Sequence, residues 1–236
     1  MNLPMVMIFF VSKLLRYGLF LVFLFLLMSG VKNLGGYSRE QIIIFYLVFN
    51  LIDTLGQLLF REVYYFRPLV ISGNFDMVLT KPFNPLIRVL LGGPDLIDTG
   101  VFVILVGVLS NFVRLDSFLI FYFVLMLINS LLITAAFYIS ILAIGILTLS
   151  VDHLIMIYRD LSSLMRIPVD IFTNPLRTLL TFIIPIGIMF TFPAKVLFGL
   201  LSWQLILFSF LFGVVSLFLS LKFWNYSLRQ YQSASS

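Results

Sequence analysis

Between residues 151 and 167 the chain gathers its densest set of titratable side chains: Asp152, His153, Arg159, Asp160 and Arg166, with Ser162 and Ser163 among them. At 100° per residue these fall within about half of a helix circumference, and Leu154, Ile157, Leu161, Leu164 and Met165 take the other half. Such a segment is either a helix lying at the cytoplasmic interface or a spanning helix whose polar side faces a water-filled path. His153, the only histidine, reads beside Asp152 as a helix-end hydrogen-bonding group rather than a proton relay. A second set is Asn50, Asp53 and Gln57, spaced i, i+3, i+7. That stripe suits either hydrogen bonding between helices or lining of the path. Lys13 and Arg16 lie one turn apart and either snorkel toward the inner headgroups or act as charges within the membrane.

Other chemistries lack their residues. Cysteine is absent, so there is no thiolate nucleophile, metal thiolate or disulfide framework. One histidine excludes an H-E-x-x-H site and a multi-histidine metal cluster. There is no G-x-S-x-G elbow for a serine hydrolase. No G-x-x-x-x-G-K-S/T motif exists to cradle nucleotide phosphates. No catalytic residue, metal ligand or cofactor of its own is therefore assigned to the chain.

The elements that must position these side chains are membrane helices. Of 236 residues, 61% are hydrophobic and 11% charged, with a mean hydropathy of +1.14 and 27 Phe. Soluble domains carry about 25% charged residues; this surface needs lipid as its solvent. About 20 apolar residues cross the hydrocarbon core, and segments 4–30, 41–60, 95–113, 117–149 and 202–224 meet that. The runs are continuous, which excludes the alternating pattern of a β-barrel. Segment 178–198 is long enough to cross, but Pro185, Gly187 and Pro193 predict a kink or a fold-back. Either this segment or 151–167 supplies a sixth crossing, so both termini share a side. Arg61, Arg67, Lys81 and Arg88 crowd the 61–93 connection, against Lys32, Arg39 and Arg114 on the other face, and the positive-inside rule puts both termini in the cytoplasm. The net charge of +5 is thus explained by orientation in the membrane, not by nucleic acid.

The 61–93 connection is the longest hydrophilic stretch. Pro68, Gly73, Pro82 and Pro85 cut it into short amphipathic pieces, from which Tyr64, Phe66, Phe75 and Leu79 could face a protein groove or the lipid interface. Asn84 before Pro85 predicts a capped helix start that Gly92, Gly93 and Pro94 then end, and Ser38 with Gln41 predicts a capping box after Gly35 and Gly36.

Three blocks carry a family resemblance. SGNFDMVLTKPFNPL (72–86) resembles the signature loop of a type-2 ATP-binding-cassette (ABC) exporter permease, in the branch whose members are roughly 260 residues long. NPLRTLLTFIIPIGIMFTFPAKVLFG (174–199) is similar to the family's proline-punctuated block before the last helix, and NLGGYSREQ (33–41) matches between the first two helices. The resemblance implies one transmembrane domain over 1–236, all α, with six crossings. It makes 151–169 the fifth crossing and 178–198 re-entrant, and runs the second helix on to about 62. It further implies that Gly73, Asp76, Lys81, Pro82, Asn84 and Pro85 form a coupling loop resting on a separate ATPase, which holds ATP and Mg. Asp53, Asp152, His153, Arg159 and Asp160 would line a path or a subunit contact. A second permease chain, identical or homologous, and membrane lipids are the other implied partners, in the cell membrane of a prokaryote. Family members usually carry a longer amphipathic lead; here about a dozen residues precede Lys13.

Overall fold

The computed structural model describes residues 3–93, 96–113, 117–148 and 151–231. Pro94, Asp95, Arg114 and Leu149, which enter the expectations above, lie outside the described residues. The described residues are helical apart from turns and one isolated bridge, Leu34 with Tyr37. In chain order the helices are α1 (Leu3–Ser29), α2 (Arg39–Phe60), a 3-10 turn Arg61–Tyr65, α3 (Phe66–Ile71), α4 (Asn74–Leu79), α5 (Pro85–Leu91), α6 (Leu96–Phe112), α7 (Ser117–Thr148) and α8 (Val151–Ser163). Short 3-10 turns Leu164–Arg166 and Val169–Ile171 lead to α9 (Leu176–Thr178), a π turn Leu179–Ile183, α10 (Ile186–Leu197) and α11 (Trp203–Gln230).

Helix starts follow local chemistry. Ser38 Oγ accepts from Gln41 N at 3.4 Å while Gln41 Oε1 accepts from Ser38 N at 2.9 Å, the reciprocal box expected of that pair. Asn84 Oδ1 accepts from Leu86 N at 2.9 Å, and Pro85 opens α5. α8 does not run to 169. Its last turn tightens to 3-10 at Leu164–Arg166, and Ile167, extended at φ −120° and ψ 155°, precedes Pro168, whose ring disfavours helical geometry in the preceding residue. α11 conversely continues six residues past Trp224, because nothing between Asn225 and Gln230 breaks a helix; only the apolar character stops there.

Among the described residues four helices are long and apolar enough to cross a membrane: Val6–Ser29, Arg39–Ile71, Ser117–Thr148 and Trp203–Gln230. The pair Leu176–Ile183 and Ile186–Leu197, bent by 90°, makes a fifth if taken as one span. The expected six rests also on α6, with 17 residues, and α8, with 13, both below that length. α7 and α11 form the most extensive interface, and α10 sits between α7 and α2 at the centre. Met189 of α10 is fully buried: its carbonyl accepts from Ser130 Oγ at 2.6 Å and its sulfur from Thr134 Oγ1 at 3.3 Å, both on α7.

The buried side of α8 differs from the sequence expectation. Val151, Ile155, Tyr158, Ser162 and Met165 are buried, while Ile157 is exposed and Leu154 and Leu161 are only partly covered. The helix is rotated so that Tyr158 packs against Tyr138 and Phe137 of α7. Aromatic stacking outweighs the sequence's own apolar stripe in choosing the face.

Candidate functional site

The connection between α2 and α6 folds as a small platform. Gly73, at φ +72°, caps α4 in the left-handed region, where a residue with a Cβ is strained. This reversal lays α4 back on α3 and buries Phe66 and Phe75 edge to face, at 5.2 Å. Phe75 also meets Trp224 at 6.4 Å and Tyr231 at 5.3 Å, at the end of α11. Phe66 and Phe75 are therefore not offered to a partner, as the amphipathic pattern had suggested. They are the platform's core; Met77, Phe83 and Ile87 are exposed, as are Tyr65, Ile71 and Leu91. Lys81, Pro82 and Asn84 lie at the same exposed tip, with Pro85 half-buried.

Polar contacts tie the platform to α11 and α8. Tyr231 donates to Asp76 Oδ1 at 2.9 Å, tying α4 to α11. Burial and the Asp76 carboxylate push the Tyr231 phenol up to about 12. Arg67 on α3 pairs with Asp152 at the start of α8, at 2.8 Å. Within the platform Arg88 pairs with Glu62 at 2.7 Å.

Near the same end of the bundle, Lys13 of α1 forms an ion pair with Asp98 of α6 and donates to Gln57 Oε1 at 3.1 Å. Gln57 in turn donates to Asp53 at 2.8 Å, and Arg61 stands 3.9 Å from Asp98. The Lys13 and Asp98 side chains are 12% and 3% exposed. Lys13 thus ends on a buried carboxylate rather than among headgroups. Asn50, grouped with Asp53 by spacing, bonds instead to Tyr46 O of its own helix at 2.7 Å.

Arg159 lines three neighbouring cavities, of about 100, 260 and 400 Å³. The first lies between α1, α2 and α8, where Arg16, Asp53, Arg159 and Arg166 meet among Tyr17, Phe20, Tyr46, Phe49 and Tyr158. The second adds Gln57 and Arg61. The third, toward the platform, is edged by Asp152 and Asp160. Of the five residues expected along a path, four are brought to these cavities; His153 is exposed at the start of α8 and lines none of the three.

At the far end of α2 the chemistry is different. Asp170 accepts from Tyr37 at 2.8 Å and pairs with Lys195 at 2.7 Å and with Arg177. Burial raises the Asp170 carboxyl, but the bonds from Lys195 and Tyr37 and the charge of Arg177 outweigh it and hold the group below its usual value. Gly35 closes this contact: it has φ +60°, and a Cβ there would stand 2.7 Å from Ile171 Cγ1.

Sequence reasoning missed Asp98, Asp170, Lys195 and Tyr231. The available signals were an acid three residues into an apolar run, for Asp98, and an acid with two bases flanking the proline-broken stretch, for Asp170. Tyr231 lies past an apolar limit that is not the helix limit.

Neither a comparison with curated proteins nor one with solved structures returned a match. A family model described as ABC-2 family transporter protein matches residues 14–235. That match covers the platform, the cavities and the Asp170 cluster alike, and the chain belongs to the ABC-2 family of transporter proteins.

Proposed function

We propose that the chain is the membrane-spanning permease of an ATP-driven exporter and performs no covalent chemistry itself. A separate ATPase carrying ATP and Mg seats against the 61–93 connection. The observation that carries this reading is the platform itself. In a chain of this family, a 3-10 turn and three short helices with a buried aromatic core expose Met77, Phe83 and Ile87 while tethered to α8 and α11. A push on the exposed face reaches α11 through Asp76 and Tyr231 and reaches α8 through Arg67 and Asp152, the two helices that must move if the bundle is to change the side it opens to.

Six crossings with both termini in the cytoplasm agree with the contacts made by residues 151–171. Asp152 bonds Arg67, just past the C-terminal end of α2, and Asp170 bonds Tyr37, just before its N-terminal end. The segment therefore runs the length of α2, reaching across with extended and 3-10 residues where α8 alone is too short. Arg177 and Lys195, on the two arms of the bent pair, both return to Asp170, which favours a re-entrant hairpin. Exposed apolar side chains along α1, α6, α7 and α11 suit membrane lipid and a second permease chain in the cell membrane.

The test is a complex with its ATPase in proteoliposomes. Gly73→Pro removes both the left-handed turn and the N–H bonded to Val70 O at 3.1 Å, and Asp76→Ala cuts the α11 tether. Both variants are expected to assemble and hydrolyse ATP at the basal rate while losing about 5-fold or more of transport-linked stimulation. Normal transport by both would refute the loop assignment.

A further inference from the structure

Several cations of this bundle have a carboxylate: Lys13 and Arg61 have Asp98, Arg67 has Asp152, Arg88 has Glu62, and Arg177 and Lys195 share Asp170. Lys32, Lys81, Lys222 and Arg229 have none among the described residues and stand singly at exposed positions. Arg16, Arg159 and Arg166 are a different case, because they stand together. Among the described residues none of the three has a carboxylate within 4.0 Å, yet all three line the cavity of about 100 Å³ between α1, α2 and α8. Two are held by aromatic faces instead, Arg16 over Tyr17 and Arg166 over Phe20, each 5.3 Å from the ring centroid. Stacking of this kind fixes a guanidinium plane and leaves N–H donors at its edge for a ligand.

Among the described residues Asp53 is the single carboxylate on the cavity wall, so three positive charges face one negative charge. The tyrosine hydroxyls nearby are already engaged: Tyr17 with Thr54 at 3.3 Å, Tyr46 with Tyr17 O at 3.2 Å, and Tyr158 with the sulfur of Met189 at 3.9 Å. Ser162 Oγ, buried on the same wall, lies beside the Tyr158 hydroxyl. Arg16 and Arg159 are exposed and Arg166 is half-buried, so the excess positive charge at the cavity is accessible to an anion.

Resting on the permease reading above, we infer that this cavity is the headgroup subsite for an amphipathic cargo bearing an oxyanion, phosphate or carboxylate. Arg16, Arg159 and Arg166 take the anion as planar two-donor forks, and Ser162 adds a hydroxyl. Phe20, Phe49 and Tyr158 form the apolar wall that receives the first part of the tail. Asp53 sets the selectivity by opposing a second negative charge.

Binding to the full chain in phosphatidylcholine nanodiscs tests this, with three probes: oleoyl lysophosphatidate, mono-oleoylglycerol with the same tail and no phosphate, and inorganic phosphate. The lysophosphatidate is expected to bind at least about 10-fold more tightly than either of the others, one charge-assisted contact being worth about that factor. The pair Arg159→Gln with Arg166→Gln should remove that preference. Asp53→Asn should tighten lysophosphatidate binding, a gain that a misfolded variant cannot imitate. Equal affinity for the two oleoyl probes, or unchanged preference in the double variant, would overturn the inference. Inorganic phosphate binding as tightly as the lysophosphatidate would overturn the amphipathic part, leaving a free-oxyanion site. Assembly with the ATPase is scored separately. A chain that binds lysophosphatidate selectively but never couples to an ATPase refutes the permease reading, whereas a coupled chain without anion preference refutes only the subsite.

Discussion

Two regions along α2, its N-terminal end and the stretch around Asp53, handle charge in opposite ways. At its N-terminal end Asp170 is saturated, with one phenol, one ammonium and one guanidinium converging on a single carboxylate, drawn from the α1–α2 turn and both arms of the bent pair. Farther along, beside α8, three guanidiniums gather around Asp53 with no ion pair among them. A saturated cluster resists opening, because separating it strands charges in a poor solvent. An unsaturated one gains when something enters. The first therefore acts as a tie that holds the hairpin against the first loop, and the second as a place kept ready for a ligand.

The sharpest way to break this contrast is to remove the hub. Asp170→Ala leaves Lys195 and Arg177 without their carboxylate. It should cost about 3 kcal/mol, read as a fall in the thermal midpoint of the detergent-solubilised chain. An unchanged midpoint would show that the cluster ties nothing.

Tyr37→Phe removes one donor to the same carboxylate and keeps the ring, so the expected loss is smaller, about 1.5 kcal/mol. Acid reports on the hub as well. Because the folded-state carboxyl of Asp170 is held below its ordinary value of 3.8, its contribution is complete above that value and is lost as pH falls through the lowered one. A midpoint-against-pH curve should drop in that acid window, and Asp170→Asn should flatten the drop.

The smallest effect belongs to the other region. Arg159→Gln should shift stability by no more than about 0.5 kcal/mol, and upward, since it removes like-charge repulsion and breaks no pair. A large loss would mean that Arg159 is matched after all.

What the residues determine locally was legible in advance. Continuous apolar runs and scarce charge dictate a helical membrane protein, since only helices satisfy every backbone group within such runs. The boxes at Ser38 and Asn84 depend on atoms three residues apart at most, and they form as the spacing requires. The prolines of 174–199 had to bend the chain, and the 90° break lies there. The family blocks were readable because they are short contiguous strings.

What remained was decided by partners distant in the chain. Asp98 looks like an ordinary first-turn acid until Lys13, 85 positions away, is folded beside it. Tyr231 becomes a tether only because Asp76 arrives 155 positions from it. Phe75 reads as an exposed anchor until Trp224 covers it, and the rotation of α8 is set by Tyr138 and Phe137 rather than by its own stripe. Caps and spans are written in local spacing; a side chain's burial and its counter-charge are properties of whichever helix packs against it, and tertiary packing alone determined which helix that was.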